Sequence, residues 1–226
     1  MSSLEITPNQ TDWTADQIAA LASIGTNLAE KADGQLFLAV CQRTQLDPFA
    51  RQIYSINRGG RFGVQTSIDG LRLIASRQDY AGQDGPFWCG DDGAWNDVWL
   101  KDQPPAAAKV GVWREGFKAP ITATALWTEY AASGPVWRRM PALMLSKVAE
   151  ALALRRAFPA DMSGVYTADE MEQAVVERGR DEVAALVTGA ATLDELRALY
   201  PESKRLGLLG MLDERRAVLA EGGEEQ

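Results

Sequence analysis

The sequence predicts an α+β protein that ends in a small all-helical module. Three observations predict it. Two glycine-centred hairpins lie in the first 130 residues, a long apolar helix follows at 141–158, and two capping boxes open an acidic, helical C-terminal stretch. A hydrophobic fraction of 46% is that of an ordinary globular chain and argues against disorder.

Residues 1–10 read as a loose tail. Thr14 to Glu30 reads as a helix, because Ile18, Leu21, Ile24 and Leu28 are spaced along one face; Asp33-Gly34 should break it. Leu36 to Thr44 is a second short helix, and Asp47-Pro48 ends the connection. Cys41 lies within that apolar helix and reads as a buried structural cysteine. Gln52 to Asn57 and Phe62 to Thr66 are strands around the turn Arg58-Gly59-Gly60-Arg61, since glycine pairs supply the positive φ of hairpin turns. Ser67 to Gln78 is a helix with Leu71 and Ile74 inward. Asp69 falls in its first turn, where a carboxylate meets the positive end of the helix dipole; that is a structural role, not a catalytic one.

Residues 82–93 are turn-rich and contain the short strand Pro86 to Cys89, and Trp95 to Leu100 reads as another strand. Ala106 to Arg114 and Ile121 to Trp127 flank the turn at Glu115-Gly116-Phe117 and form the second hairpin. Pro141 fits the first turn of the 141–158 helix and Pro159 ends it. Lys147 and Arg155 in that helix are expected to project at similar angles. Thr167 to Glu170 is a capping box opening a helix over 168–178, and a second box follows at Thr192 to Glu195. Further helices are expected near 181–188, 193–199 and 203–220.

The net charge of −8 conceals an asymmetry. Residues 1–34 carry −4, residues 35–166 carry +3 and residues 167–226 carry −7. A mildly basic body between acidic ends is compatible with a polyanion site, and equally with plain solvated helical ends. The chain has two cysteines and no histidine. That excludes a cysteine–histidine zinc site and every mechanism that needs an imidazole. Both cysteines fit a reducing cytoplasm. The start, MSSLEITPNQ, does not read as a signal peptide, and no stretch approaches the length of a membrane span.

No Gly-Lys pair and no G-x-G spacing occur, so neither a P-loop nor a dinucleotide fingerprint is present. Metal-dependent hydrolysis would need converging carboxylates; Asp69, Asp84, Asp91, Asp92 and Glu115 are the candidates, and the three in the glycine-rich loop also suit turns. A single nucleic-acid strand needs a basic groove with aromatics for stacking. The body offers Arg51, Arg58, Arg61, Lys109, Arg114, Lys118, Arg138, Arg139, Lys147, Arg155 and Arg156. Tyr54, Phe62, Trp113, Trp127 and Trp137 lie among them. Trp113 and Trp127 suit a core, whereas Trp137, in a loop before the main helix, is expected to be exposed.

Four segments in order, LDPFARQIYSINRGG, QTSIDGLRLIA, MPALMLSKVAEALALRRAFP and GVYTADEM, resemble the RecT/Bet group of single-strand annealing recombinases over residues 35–172. The resemblance implies a small twisted antiparallel sheet packed by helices, with subunits assembled into rings or helical filaments. It implies an ATP-independent protein of phage or prophage origin in the bacterial cytoplasm, with no enzymatic activity and no cofactor. Such a protein coats single-stranded DNA, pairs it with its complement and holds the annealed duplex. The DNA-binding residues implied are Arg51, Arg58 and Arg61 on one side of a groove, and Arg138, Arg139, Lys147, Arg155 and Arg156 on the other; Trp137, read as exposed, is added as a stacking candidate. Lys109, Arg114 and Lys118 come from the second hairpin. Charge reversal at Arg155 and Arg156 is expected to abolish DNA binding without unfolding.

Three domains follow: 1–34, a tail and helix with an oligomer contact as its candidate role; 35–172, the annealing core; and 173–226, a helical partner-binding module. In the group such a module recruits an exonuclease and the host single-strand binding protein. Three other readings stay open: a passive single-strand binder, a magnesium-dependent nuclease on Asp84, Asp91 and Asp92, and an assembly protein with no nucleic-acid role.

Overall fold

The computed structural model describes residues 4–26, 28, 30–58, 61–132 and 134–221, and their side chains except those of 58, 61, 168–178, 202, 205, 220 and 221. The class is α+β, as the sequence predicts, with the described strands in two antiparallel sheets. The chain divides into two compact units, Met1–Met171 and Glu172–Gln226.

In the first unit, α1 (Ala15–Ser23) and α2 (Lys31–Thr44) precede a two-stranded ribbon, β1 (Ile53–Arg58) and β2 (Arg61–Thr66), and then α3 (Ile68–Ser76). Next come β3 (Tyr80–Cys89), β4 (Trp95–Asn96), β5 (Ala107–Arg114) and β6 (Ile121–Leu126), in the spatial order β4-β3-β5-β6. Two short helices, α4 (Trp127–Tyr130) and α5 (Pro135–Arg139), lead into the central helix α6 (Pro141–Ala157).

Several boundaries differ from expectation; residues 82–85, read as turn, lie inside β3. The first helix stops at Ser23 because Gly25 turns the chain with φ +88°. Asp33-Gly34 does not break a helix but lies inside the first turn of α2. Gly34 leaves room for Trp13, whose indole donates to the Gly34 carbonyl at 2.8 Å and packs 5.7 Å from the ring of Phe37. Trp95 begins only a two-residue strand, so most of 95–100 is loop.

α6 is the axis of the unit. Ala149, Ala153 and Ala157 recur every fourth residue and are fully buried, as are Ala108 and Ala125 in the sheet and, nearly so, Ala123. Small residues on both surfaces let the helix lie close against β5 and β6, and Leu145, Val148 and Leu154 complete the seal. Within this core Glu150 is buried. Arg72 of α3 meets both of its carboxylate oxygens, at 2.6 and 2.8 Å, and also reaches Asp69 at 2.9 Å. The pair fastens α3 to α6. Because Arg72 remains half-exposed, its removal should cost less than the roughly 3–5 kcal/mol of breaking a fully buried pair.

The thiols are buried. Burial, with the charge of Asp47, pushes the Cys41 thiol up to about 12, and burial and Asp92 raise that of Cys89. At about pH 8 the thiolate fraction of Cys41 is then on the order of 10⁻⁴. Ellman's reagent should therefore modify neither cysteine of the folded protein within minutes and both in guanidinium; rapid labelling of the folded chain would contradict this packing.

The second unit has its own core. In α7 (Ala168–Gly189) Val183 and Val187 are buried; Ala190 follows, then Leu196 of α8 (Leu193–Arg205), Leu206, Leu208, and Leu212 of α9 (Leu209–Glu221). The expected break between 178 and 181 is absent, and α7 is continuous. The second capping box forms: the Glu195 amide donates to Thr192 Oγ1 and the Thr192 amide to Glu195 Oε2, both at 3.3 Å. The Thr167–Glu170 box lies outside the described side chains. No helix among the described residues is long and apolar enough to cross a membrane.

Candidate nucleic-acid interface

The expected basic residues divide by what their side chains do. Three arginines gather at the C-terminal end of α6, where the helix dipole favours cations. Arg114 reaches over from β5, donates to the Ala157 carbonyl at 2.7 Å, forks onto Asp79 and lies between the rings of Phe117 and Phe158. Arg155 donates to the carbonyls of Met162 and Val165 and stacks 4.4 Å from the ring of Tyr166. Arg156 donates to the Thr122 carbonyl of β6 at 2.8 Å while remaining exposed. Arg114 and Arg155 are thus architectural. Because the Arg155 guanidinium bonds the Met162 and Val165 carbonyls, its reversal is expected to disturb the 158–166 segment as well as any DNA contact.

Lys147 and Arg155 do not project together. Eight residues at 100° each leave them about 80° apart around the helix. Lys147 is half-buried near mid-helix, and Arg155 is turned onto the carbonyls that follow. Arg138 and Arg139 are exposed on α5, before the other end of α6. With 17 residues, α6 is about 25 Å long, so the expected row is spread along the whole helix.

Trp137 is a second correction. The segment before α6 is a short helix rather than a loop, and Trp137 is 4% exposed, packed edge-on against Trp127 at 5.6 Å. It is core and offers no free face for stacking. Sequence reading missed Phe87 and Trp95. Strand register puts Lys109 opposite Phe87 on the sheet, and its ammonium sits 4.2 Å from the ring centre of Trp95 and 5.7 Å from that of Phe87. The alternation around Lys109 in AAAKVGVW was the available signal for an outward-facing lysine, but not for its aromatic neighbours.

Arg51 is exposed, with φ +57°, in the turn that enters β1; Lys118 is exposed in the turn between β5 and β6. The β1–β2 register places Arg58 directly opposite Arg61. The side chains of both, and the Gly59-Gly60 turn itself, lie outside the described residues. Asp84, Asp91 and Asp92 are exposed, and among the described residues no three metal-ligating side chains of His, Cys, Asp or Glu gather at one point.

The Asp79–Arg114 fork has a pH signature. Hydrogen bonding from Arg114 holds the Asp79 carboxyl below its usual range. A depressed folded pKa adds stability that is present above the unfolded value, about 3.9, and is lost as pH falls through the folded one. The denaturant midpoint of Asp79→Asn should lie below that of the parent at neutral pH, and the gap should close below about pH 4; a gap constant with pH would remove the fork from the account.

The first unit is thus an α+β core with cations exposed on its turns and helix ends, Arg51, Lys118, Arg138, Arg139 and Arg156. The family model described as the RecT family matches residues 11–183, and the chain belongs to the RecT family. The family is one of ATP-independent single-strand annealing and recombination proteins. No curated protein matches the chain.

Proposed function

We propose that the protein binds single-stranded DNA along its backbone, promotes pairing with a complementary strand without ATP, and holds the annealed duplex during phage homologous recombination. The observation that carries this reading is the family match over 11–183. The track consists of Arg51, Arg58, Arg61, Lys118, Lys147 and Arg156.

Physical chemistry supports it. Phosphate charge repels two approaching strands, and bound cations offset that repulsion; base pairing then supplies the driving force. Sequence is read by the DNA itself, so contacts to the backbone suffice. Repetition of the subunit along the strand multiplies weak contacts into a continuous track. An exonuclease and a host single-strand binding protein are the proposed partners of the 173–226 module.

The test is a salt titration of oligonucleotide binding. Six phosphate contacts to a single strand give a slope of log K against log salt of about −4. Salt-independent binding, or none, would refute the track.

A further inference from the structure

The ribbon and the central helix, which carry most of the proposed track, meet at Tyr166. From β2 the Thr66 amide donates to the Tyr166 carbonyl at 2.8 Å, and Gln65 and Tyr166 form a parallel bridge. From α6 the Arg155 guanidinium donates to the carbonyls of Met162 and Val165 and lies 4.4 Å from the centre of the Tyr166 ring. Arg156, the next residue of the helix, is exposed. Tyr166 therefore sits where the base of the ribbon and the C-terminal end of α6 come together.

The backbone around Tyr166 is fixed from several sides. Met162 and Val165 before it are fully buried, and Thr167 after it is buried too. Arg43 donates to the Ser163 carbonyl at 2.9 Å, and Gln78 donates to Asp161 Oδ1 at 3.1 Å. Yet Tyr166 itself is 42% exposed. An aromatic residue between buried neighbours, on a backbone tied to two elements, is held open to solvent. Arg155 against the ring sets its orientation and adds a planar cation beside it. The tryptophans of the same region are turned elsewhere, since Trp137 is core and Trp127 packs on it.

We propose that Tyr166 is a base-stacking residue of the track. An unpaired base of the bound strand lies against its ring, and the phosphates on either side of that base fall to the exposed cations of the ribbon and α6. This assignment rests on the single-strand reading above and adds a source of specificity to it. Every base has a π-face, so the contact tolerates any sequence. In a duplex each base is already stacked between its neighbours, so the contact favours the unpaired strand. Stacking uses the face of a base and leaves its pairing edge open to a complement.

The test compares an oligothymidylate with a strand of the same length built of abasic sites, which keeps the phosphates and lacks the bases. Binding is read by fluorescence anisotropy against salt. Tyr166→Ala should lower affinity for the oligothymidylate about 10-fold and leave affinity for the abasic strand within about twofold of the parent's. The slope of log K against log salt should not change, because stacking releases no counterions. Tyr166→Phe keeps the ring and should bind as the parent does. If the alanine variant fails to fold, Tyr166→Leu, which keeps an apolar side chain against Arg155, decides the matter in the same way. Unchanged affinity for the oligothymidylate, an equal loss on both strands, or a phenylalanine variant as weak as the alanine one would each overturn the stacking and leave the track standing. A parent that binds neither strand would refute the track and the stacking together.

Discussion

Reversing both arginines at the ribbon tip, Arg58→Glu with Arg61→Glu, should lower affinity for a single-stranded oligonucleotide about 100-fold at low salt and flatten the salt slope by about 0.7 per contact. Both arginines end strands whose backbones pair residue for residue from Ile53↔Thr66 to Arg58↔Arg61. The variant should keep the parent's denaturant midpoint, because the strand pairing is made by the backbone. Arg155→Glu is the contrasting case. It puts a carboxylate among the Met162 and Val165 carbonyls and over the Tyr166 ring, and should cost about 3 kcal/mol of stability. Any loss of DNA binding there follows the unfolded fraction. Fluorescence anisotropy against salt, with a urea curve for each variant, separates the two. Unchanged affinity in the folded tip variant would remove the ribbon from the interface.

Among the described glycines, Gly70 should be the one least tolerant of an added methyl group. Gly70 is buried in the first turn of α3, where its amide donates to the N-cap Ser67 Oγ at 3.1 Å. A Cβ there would overlap the Gln52 carbonyl oxygen and stand 2.6 Å from Thr66 Cγ2. Neither neighbour can yield easily, because the Gln52 carbonyl accepts from the Ser67 amide at 3.1 Å and Thr66 is paired with Ile53 and fully buried. The expected loss is about 3 kcal/mol or more, seen as a lower urea midpoint or the loss of soluble protein. Gly179→Ala is the control. Nothing lies within 4 Å of its added Cβ, and in the interior of α7 the change should stabilise by about 0.5–1 kcal/mol. A Gly70→Ala midpoint equal to the parent's would show that α3 does not meet the ribbon this closely.

Local signals made most elements legible. The ribbon and second hairpin followed from glycine turns between β-rich runs, and α6 from apolar spacing closed by two prolines. What stayed hidden depends on contacts between distant residues. Gly34 looked like a helix breaker because the indole of Trp13, which donates to its carbonyl inside α2, is 21 positions away. Trp137 looked exposed because its partner Trp127 belongs to another element. Basic residues were legible as charge but not as function: nothing local distinguishes Arg155, spent on two carbonyls, from its neighbour Arg156, which remains exposed. Asp79, the partner that fixes Arg114, lies 35 positions before it.

The most direct measurement is the pairing rate of two complementary fluorophore-labelled oligonucleotides with the protein, without ATP and in EDTA. The account predicts pairing faster than that of the bare strands, with the gain falling away at high salt. Binding that leaves pairing unchanged or slows it would contradict the account and make the protein a passive single-strand binder.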